Sequence, residues 1–292
     1  MEGTKTKNLR SIKVRKAIYL TFIYTLLVLV SVFFMFPVVY MLNKSFMTYD
    51  QSMALPLKFF PVELYLGNYK GLFDAKMLQW FGNTLIIMVV AMIMNPLVSS
   101  WIAYGFSKLD FHGRKLLFMV MMGTTMLPGM VLQIPMFIIY NQLGWMNTLW
   151  PFIVPNFFGG GALSVFLIIQ FMRSIPREMD QAAMIDGATA YRRFFHITLP
   201  LCFPILIFME IGIFNSCWND YFGPLLYIND ENMYTLAFGI YMRFVRGTAE
   251  GSNLEIGAKM AVGVIFSIPP IVLFFVFQKQ LIVGVMIGGV KG

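Results

Sequence analysis

From Leu116 to Met172 the chain runs for 57 residues without a charged side chain. A soluble fold interrupts its apolar runs, because one face of each element must meet water. A helix needs about 20 apolar residues to cross the roughly 30 Å hydrocarbon core of a bilayer. The run is too long for one crossing and about right for two. The break is expected at Asn141–Thr148, where polar side chains, Gly144 and the interfacial Trp145 cluster. Composition agrees: 58% of residues are apolar and 12% charged, against about 25% charged in soluble domains. This excludes a water-soluble enzyme, a disordered tail and a disulfide scaffold. The fold class is all-α, a polytopic membrane helix bundle.

Four further spans follow from apolar runs: Ala17–Asn43, read as a retained anchor, Met77–Ser107, about Pro200–Tyr227 and about Lys259–Phe277. Six spans put both termini on one side, and excess Lys and Arg mark the cytoplasmic loops. Fifteen of the 22 basic residues fall on the side of the termini. They are Lys5, Lys7, Arg10, Lys13, Arg15 and Lys16 before the first span, then Lys108, Arg114 and Lys115, then Arg173, Arg177, Arg192 and Arg193, and finally Lys279 and Lys291. Both termini are therefore expected in the cytoplasm, and the net charge of +8 is an orientation signal, not a nucleic-acid one. The expected organisation is a cytoplasmic segment 1–16, a six-span domain 17–285 and a cytoplasmic tail 286–292. Internal prolines and Gly159-Gly160-Gly161 predict kinks, bends or close helix approach within the bundle.

Catalytic chemistry is missing from the sequence. No G-x-x-x-x-G-K-[ST] phosphate loop, H-E-x-x-H or Cys/His ligand spacing occurs, so neither a metal nor a catalytic set is expected. Cys202 and Cys217, on one helix, would lie roughly 22 Å apart, too far for a disulfide. A channel or carrier, a transporter subunit and a structural membrane subunit remain as classes.

One cytoplasmic segment does not read as a tether. Around residues 173–200, Ser174 and Pro176 are helix-start residues, and Glu178 and Asp180 suit a positive helix end. Met179, Ala182, Ala183 and Asp186 share a helical spacing, and Gly187 suits a left-handed helix stop. A second short helix is predicted from about Thr189 to Ile197, with Tyr191, Phe194 and Phe195 as apolar anchors and Arg192 and Arg193 exposed. Together they make a compact knob.

Gln181-Ala182-Ala183, three residues, Gly187, nine residues and Ile197-Thr198-Leu199-Pro200 resemble the E-A-A-x3-G-x9-I-x-L-P motif of permease subunits of binding-protein-dependent ABC importers. Phe106–Arg114 and Asn215–Leu225 resemble the carbohydrate branch, and the ending Gly288-Gly289-Val290-Lys291-Gly292 resembles the G-type subunit of maltose systems. The resemblance implies a transporter subunit, not an enzyme, in a bacterial cytoplasmic (inner) membrane, forming half of a translocation pathway for an oligosaccharide. It implies a second homologous permease, two ATP-binding subunits and an external solute-binding protein as partners. ATP and Mg belong to the partner subunits, with no cofactor on this chain. The ATPase-coupling residues carried over are Gln181, Ala182, Ala183, Gly187, Ile197, Leu199 and Pro200, with Glu178, Asp180 and Asp186 on the same knob. The motif's usual Glu is Gln181 here, so an ion pair at that position gives way to hydrogen bonding, with Glu178 or Asp180 as substitute charges.

In span five, Asn215 and Asn219 share a helix face, and with Trp218 and the rim residue Asp220 they are candidates for lining the substrate pathway. Glu210 lies nine residues before Asn219 and points the opposite way, toward a neighbouring helix. Arg243 and Arg246 raise an acidic sugar, such as a uronate oligomer, as one substrate alternative.

Overall fold

The computed structural model describes residues 2–246 and 256–289, and among them the regular elements are all helical. The tail residues Val290, Lys291 and Gly292, and residues 247–255, lie outside them. In chain order the α-helices are α1 (Glu2–Ser45), α2 (Tyr49–Met53), α3 (Ala75–Lys108), α4 (Arg114–Thr124), α5 (Gly129–Gln142), α6 (Trp150–Ile153) and α7 (Gly161–Ser174). They continue as α8 (Arg177–Ile185), α9 (Ala190–Arg193), α10 (Leu199–Leu201), α11 (Phe203–Asn219), α12 (Phe222–Tyr227), α13 (Leu236–Ile240) and α14 (Ile256–Gly289). A π-helical turn, Phe194–Thr198, joins α9 to α10.

Four stretches are long and apolar enough to cross a membrane: Arg15–Ser45, Ala75–Lys108, Trp150–Ser174 and Ile256–Gln278. Two bent pairs, α4 with α5 at 96° and Ala190–Leu201 with α11 at 73°, bring the number to six if each counts as one span. The chain is thus a multi-pass helical membrane protein. The bends refine the sequence reading. Span three breaks before Gly129, where Pro128 has no amide to continue the helix of α4. Span five ends at Asn219, because Asp220 is extended, and Phe222–Tyr227 forms a separate helix. The apolar run 200–227 concealed that stop. The last helix passes the expected boundary at residue 286 and continues through Gly289.

The chain divides into two compact units, Met1–Leu72 with Asn253–Ser267, and Phe73–Ser252 with Ile268–Gly292. In the first, α1 presents apolar side chains outward between Ile18 and Leu42, with Phe33 75% exposed, as suits a lipid-facing helix. Its C-terminal end is tied down. The buried Lys44 ammonium donates to the Ser52 carbonyl at 2.9 Å. Asn68 donates to the carbonyls of Ser45 and Met47 at 2.9 and 2.8 Å.

The second unit is built on α3, which packs against α7 and α11. At one end of α3, Ala103 and Tyr104 meet Ile168, Ile169 and Met172 of α7, Cys202, and Ile205 and Met209 of α11. Midway along, Gly160 comes so close to α3 that a Cβ there would stand 2.1 Å from the Asn95 side-chain oxygen. The Gly160 amide donates to the Ser99 hydroxyl at 2.8 Å. The triple glycine therefore serves both predicted purposes: it permits close approach, and Gly159 and Gly161 bend the chain with φ of 90° and 80°.

The other end of α3 is clamped by the segment after α12. Trp80 donates to the Glu231 carbonyl at 2.9 Å, and Asn83 to those of Asn232 and Tyr234, both at 2.9 Å. The Thr84 hydroxyl accepts the Leu236 amide at 2.8 Å, and the Arg243 guanidinium pairs with Asp74, the N-cap of α3. Burial alone would raise the Asp74 carboxyl, but the Met77 amide and the Arg243 guanidinium together hold it below the ordinary carboxylate range.

Candidate functional site

The knob stands at the end of α3 opposite this clamp. Pro176 precedes α8, whose first turn carries Glu178 and Asp180, where carboxylates complement the helix dipole. The helix stops as Gly187 takes φ of 76°, a conformation that costs an L-residue steric strain. Thr189 then caps α9, its hydroxyl accepting the Arg192 amide.

Phe194 fixes the knob to the bundle. Its side chain is fully buried, edge-on to Trp101 at 4.7 Å and to Tyr104 at 5.4 Å. Burying one Phe is worth about 1.5–3 kcal/mol. Tyr191 and Phe195 add rings around Trp101. The anchor thus touches α3 directly and belongs to the same core cluster as α7 and α11.

The two sides of α8 differ. Ala183 is buried, while Gln181 and Ala182 are exposed. Met184 and Ile185 are 57% and 86% exposed. Isolated exposed apolar residues mean little, but a cluster of them with small and polar neighbours on a protruding helix marks an interaction surface. Of the two adjacent alanines, Ala182 faces outward and Ala183 belongs to the chain's own packing.

Charge is distributed otherwise than the spacing predicts. Arg193 is not exposed: it is 8% accessible and pairs across the knob with Asp180 at 3.5 Å. Asp180 is therefore neutralised within the chain, and Glu178 and Asp186 are the exposed acids of the knob. Sequence spacing had no means to find this pair, since its partners sit on different helices. Asp180, Gln181 and Arg193 line a polar cavity of about 230 Å³ with Lys108 and Arg114. Of the motif's C-terminal end, Ile197 and Leu199 are half-buried and Pro200 is exposed where α10 begins.

The span-five candidates separate into two pairs. Asn215 and Asn219 each donate back into their own helix, to the carbonyls of Ile211 and Asn215, both at 2.9 Å. Asn219 is exposed and Asn215 half-buried. Trp218 is 3% exposed, stacked on Phe214 and edge-on to Phe81, so its ring is core. Asp220 accepts the Gly223 amide at 2.9 Å and its carbonyl accepts the Thr235 hydroxyl at 3.2 Å; it holds α12 and α13 in place. Glu210 is half-buried, and one of its carboxyl oxygens has no hydrogen-bond partner among the described residues.

The model of the family described as binding-protein-dependent transport system inner membrane component matches residues 96–285, which include the knob and α11. The chain belongs to that family. This permease family comprises transport components, not enzymes. The arabinooligosaccharides transport system permease protein AraQ of Halalkalibacterium halodurans is 33% identical over 262 residues, covering 88% of this chain and 91% of the relative. The galactooligosaccharides transport system permease protein GanQ of Bacillus subtilis is 30% identical over 290 residues, covering 97% and 100%. The trehalose/maltose transport system permease protein MalG of Thermococcus litoralis is 28% identical, covering 91% and 94%. Among solved structures, a chain of a bacterial ABC transporter involved in the import of the acidic polysaccharide alginate superposes with a TM-score of 0.80 over 90% of this chain and 96% of that one, at 21% identity. That likeness establishes the permease fold.

Proposed function

We propose that this permease forms half of the translocation pathway of an ATP-driven oligosaccharide importer in a bacterial cytoplasmic membrane. The termini and the knob face the cytoplasm, in keeping with the basic residues concentrated there. A second permease completes the pathway, two ATP-binding subunits dock from the cytoplasm, and a solute-binding protein delivers sugar from outside. The observation that carries this reading is the knob. It presents Gln181, Ala182, Met184 and Ile185 outward while Phe194 anchors it in the α3, α7 and α11 core. ATP binding that moves the docked subunit would shift the knob, and the knob the spans, between two packed arrangements.

Gln181 docks by hydrogen bonding and shape, and Glu178 and Asp186 are the acids free to meet a basic residue of the ATPase. Asn215 and Asn219 line the pathway with the amide oxygens that their backbone hydrogen bonds leave available. A neutral oligosaccharide fits better than an acidic one. The relatives are named for arabino-oligosaccharides, galacto-oligosaccharides and trehalose or maltose, and Arg243 is already engaged by Asp74.

The test is reconstitution of the permease pair, the ATPases and the binding protein in proteoliposomes. Ala182→Arg, at an exposed position, and Gly187→Pro, which forbids the positive φ, are expected to reach the membrane at normal levels yet abolish sugar-stimulated ATP hydrolysis and uptake. Uptake at the wild-type rate by both variants would overturn the docking model. Uptake by the isolated chain without ATP would overturn the importer reading.

A further inference from the structure

A second cavity, of about 710 Å³, opens beside the knob and is lined by Arg114, Lys115 and Arg173 together with Phe106, Phe111 and Phe118. Three cations face one acid, Asp110. That acid is already engaged by Arg114 at 2.7 Å, and the Leu109 carbonyl accepts from the same guanidinium at 3.0 Å. Lys115 and Arg173 make no ion pair among the described residues. The cavity also takes in Gly113, which starts α4 without a side-chain cap; the Arg114 amide donates to the Phe111 carbonyl at 3.4 Å, and the next amides, of Lys115 and Leu116, lack intrahelical acceptors. The site therefore offers hydrogen-bond donors and a net excess of positive charge, since one acid, already taken by Arg114, stands against three cations.

The rest of the lining is apolar. Phe106 packs against Phe111 and Phe118 at 5.8 and 5.9 Å. Along α4, Leu116, Leu117, Met119 and Val120 are 62%, 52%, 66% and 59% exposed. A charged mouth continuous with a lipid-facing apolar helix matches an amphiphile, and a cavity this size exceeds what inorganic phosphate needs. Basic pockets between transmembrane helices at the cytoplasmic surface bind anionic headgroups in this way.

We propose that this cavity binds the phosphodiester headgroup of an anionic phospholipid of the cytoplasmic leaflet, with its acyl chains along α4. Arg114, pinned by Asp110, sets the position of the phosphate, and Lys115 and Arg173 supply the charge. The proposal rests on the cytoplasmic placement of the knob given above.

Native mass spectrometry of the purified importer complex with added cardiolipin tests it. Each near-surface cation contributes roughly fivefold in affinity for an anionic lipid. Lys115→Gln with Arg173→Gln is therefore expected to lower cardiolipin retention roughly 25-fold, while Lys115→Arg with Arg173→Lys keeps it. Equal retention in the charge-removed and wild-type complexes overturns the proposal. So does displacement of the lipid by millimolar inorganic phosphate, which would assign the cavity to the free anion. Orientation is read separately, by labelling His112→Cys with a membrane-impermeant maleimide in oriented vesicles. Labelling from outside alone would refute the topology, whereas the retention experiment judges the lipid site by itself.

Discussion

Replacing Arg193 with alanine removes the cation that neutralises Asp180 inside the knob. At 3.5 Å and an effective dielectric constant of about 20, the Coulomb attraction is about 5 kcal/mol. Desolvation offsets much of this in the intact pair, but a variant that leaves one buried charge alone typically loses 3–5 kcal/mol. The lower end, about 3 kcal/mol, applies here, because Lys108 lines the same cavity and screens the orphaned carboxylate. Every 1.4 kcal/mol is a factor of ten, so the ratio of ordered to displaced knob falls roughly a hundredfold. Proteoliposome uptake, normalised to protein inserted and to ATP hydrolysed, reads the consequence. Arg193→Ala is expected to insert normally and to import at least tenfold less sugar per ATP, while Asp180→Asn with Arg193→Gln recovers most of the loss. Coupled import at the wild-type ratio by Arg193→Ala, or a double variant worse than the single, would refute the reasoning.

Two further outcomes follow from the clamp at the Asp74 end of α3. Gly239→Ala would place a Cβ 2.2 Å from the buried Trp80 ring, a fixed aromatic and not a flexible side-chain end. The variant should lose about 1–3 kcal/mol, read as a lower unfolding temperature in detergent. The Asp74 carboxyl is held below its ordinary range, so its contribution is complete above the usual Asp value of about 4 and is lost as pH falls through the lowered one. Protection factors in residues 228–246, with the base-catalysed intrinsic exchange rate divided out, should therefore be unchanged between pH 5 and 8 and fall only at lower pH, and Asp74→Asn should remove that acid response.

The sequence disclosed this fold through periodicity and charge, and it disclosed the knob through chain-local chemistry. Pro176, Gly187 and Thr189 each act on their own backbone, so their positions are readable without tertiary knowledge. Phe194 reads as an anchor because it is the apolar residue after a pair of arginines. Arg193 was misjudged for the opposite reason: its partner Asp180 lies on another helix, and pairing across space has no sequence period. The end of span five was hidden for a third reason. Apolar character continues past Asn219 into α12, and hydropathy does not register the extended Asp220 that separates them. Trp218 and Asp220 invite a binding role by residue type, but their environment makes one a core ring and the other a cap. Asn215 and Asn219 share the face that the spacing predicts and are the two residues we propose for the pathway.

The joint between knob and span has a mechanical meaning. Phe194–Thr198 is π-helical, Pro200 and Pro204 contribute no amide donors, and the two helical segments meet at 73°. A push along the α9–α10 axis therefore projects only weakly onto the axis of α11. In the docking scheme we propose, the joint would act as a bell crank, turning thrust on the knob into tilt of the span with little sliding along the axis of α11. Tilt moves the far end of α11 most, and Asn219 stands there. The largest displacement is thus delivered to the residue that we assign to the pathway.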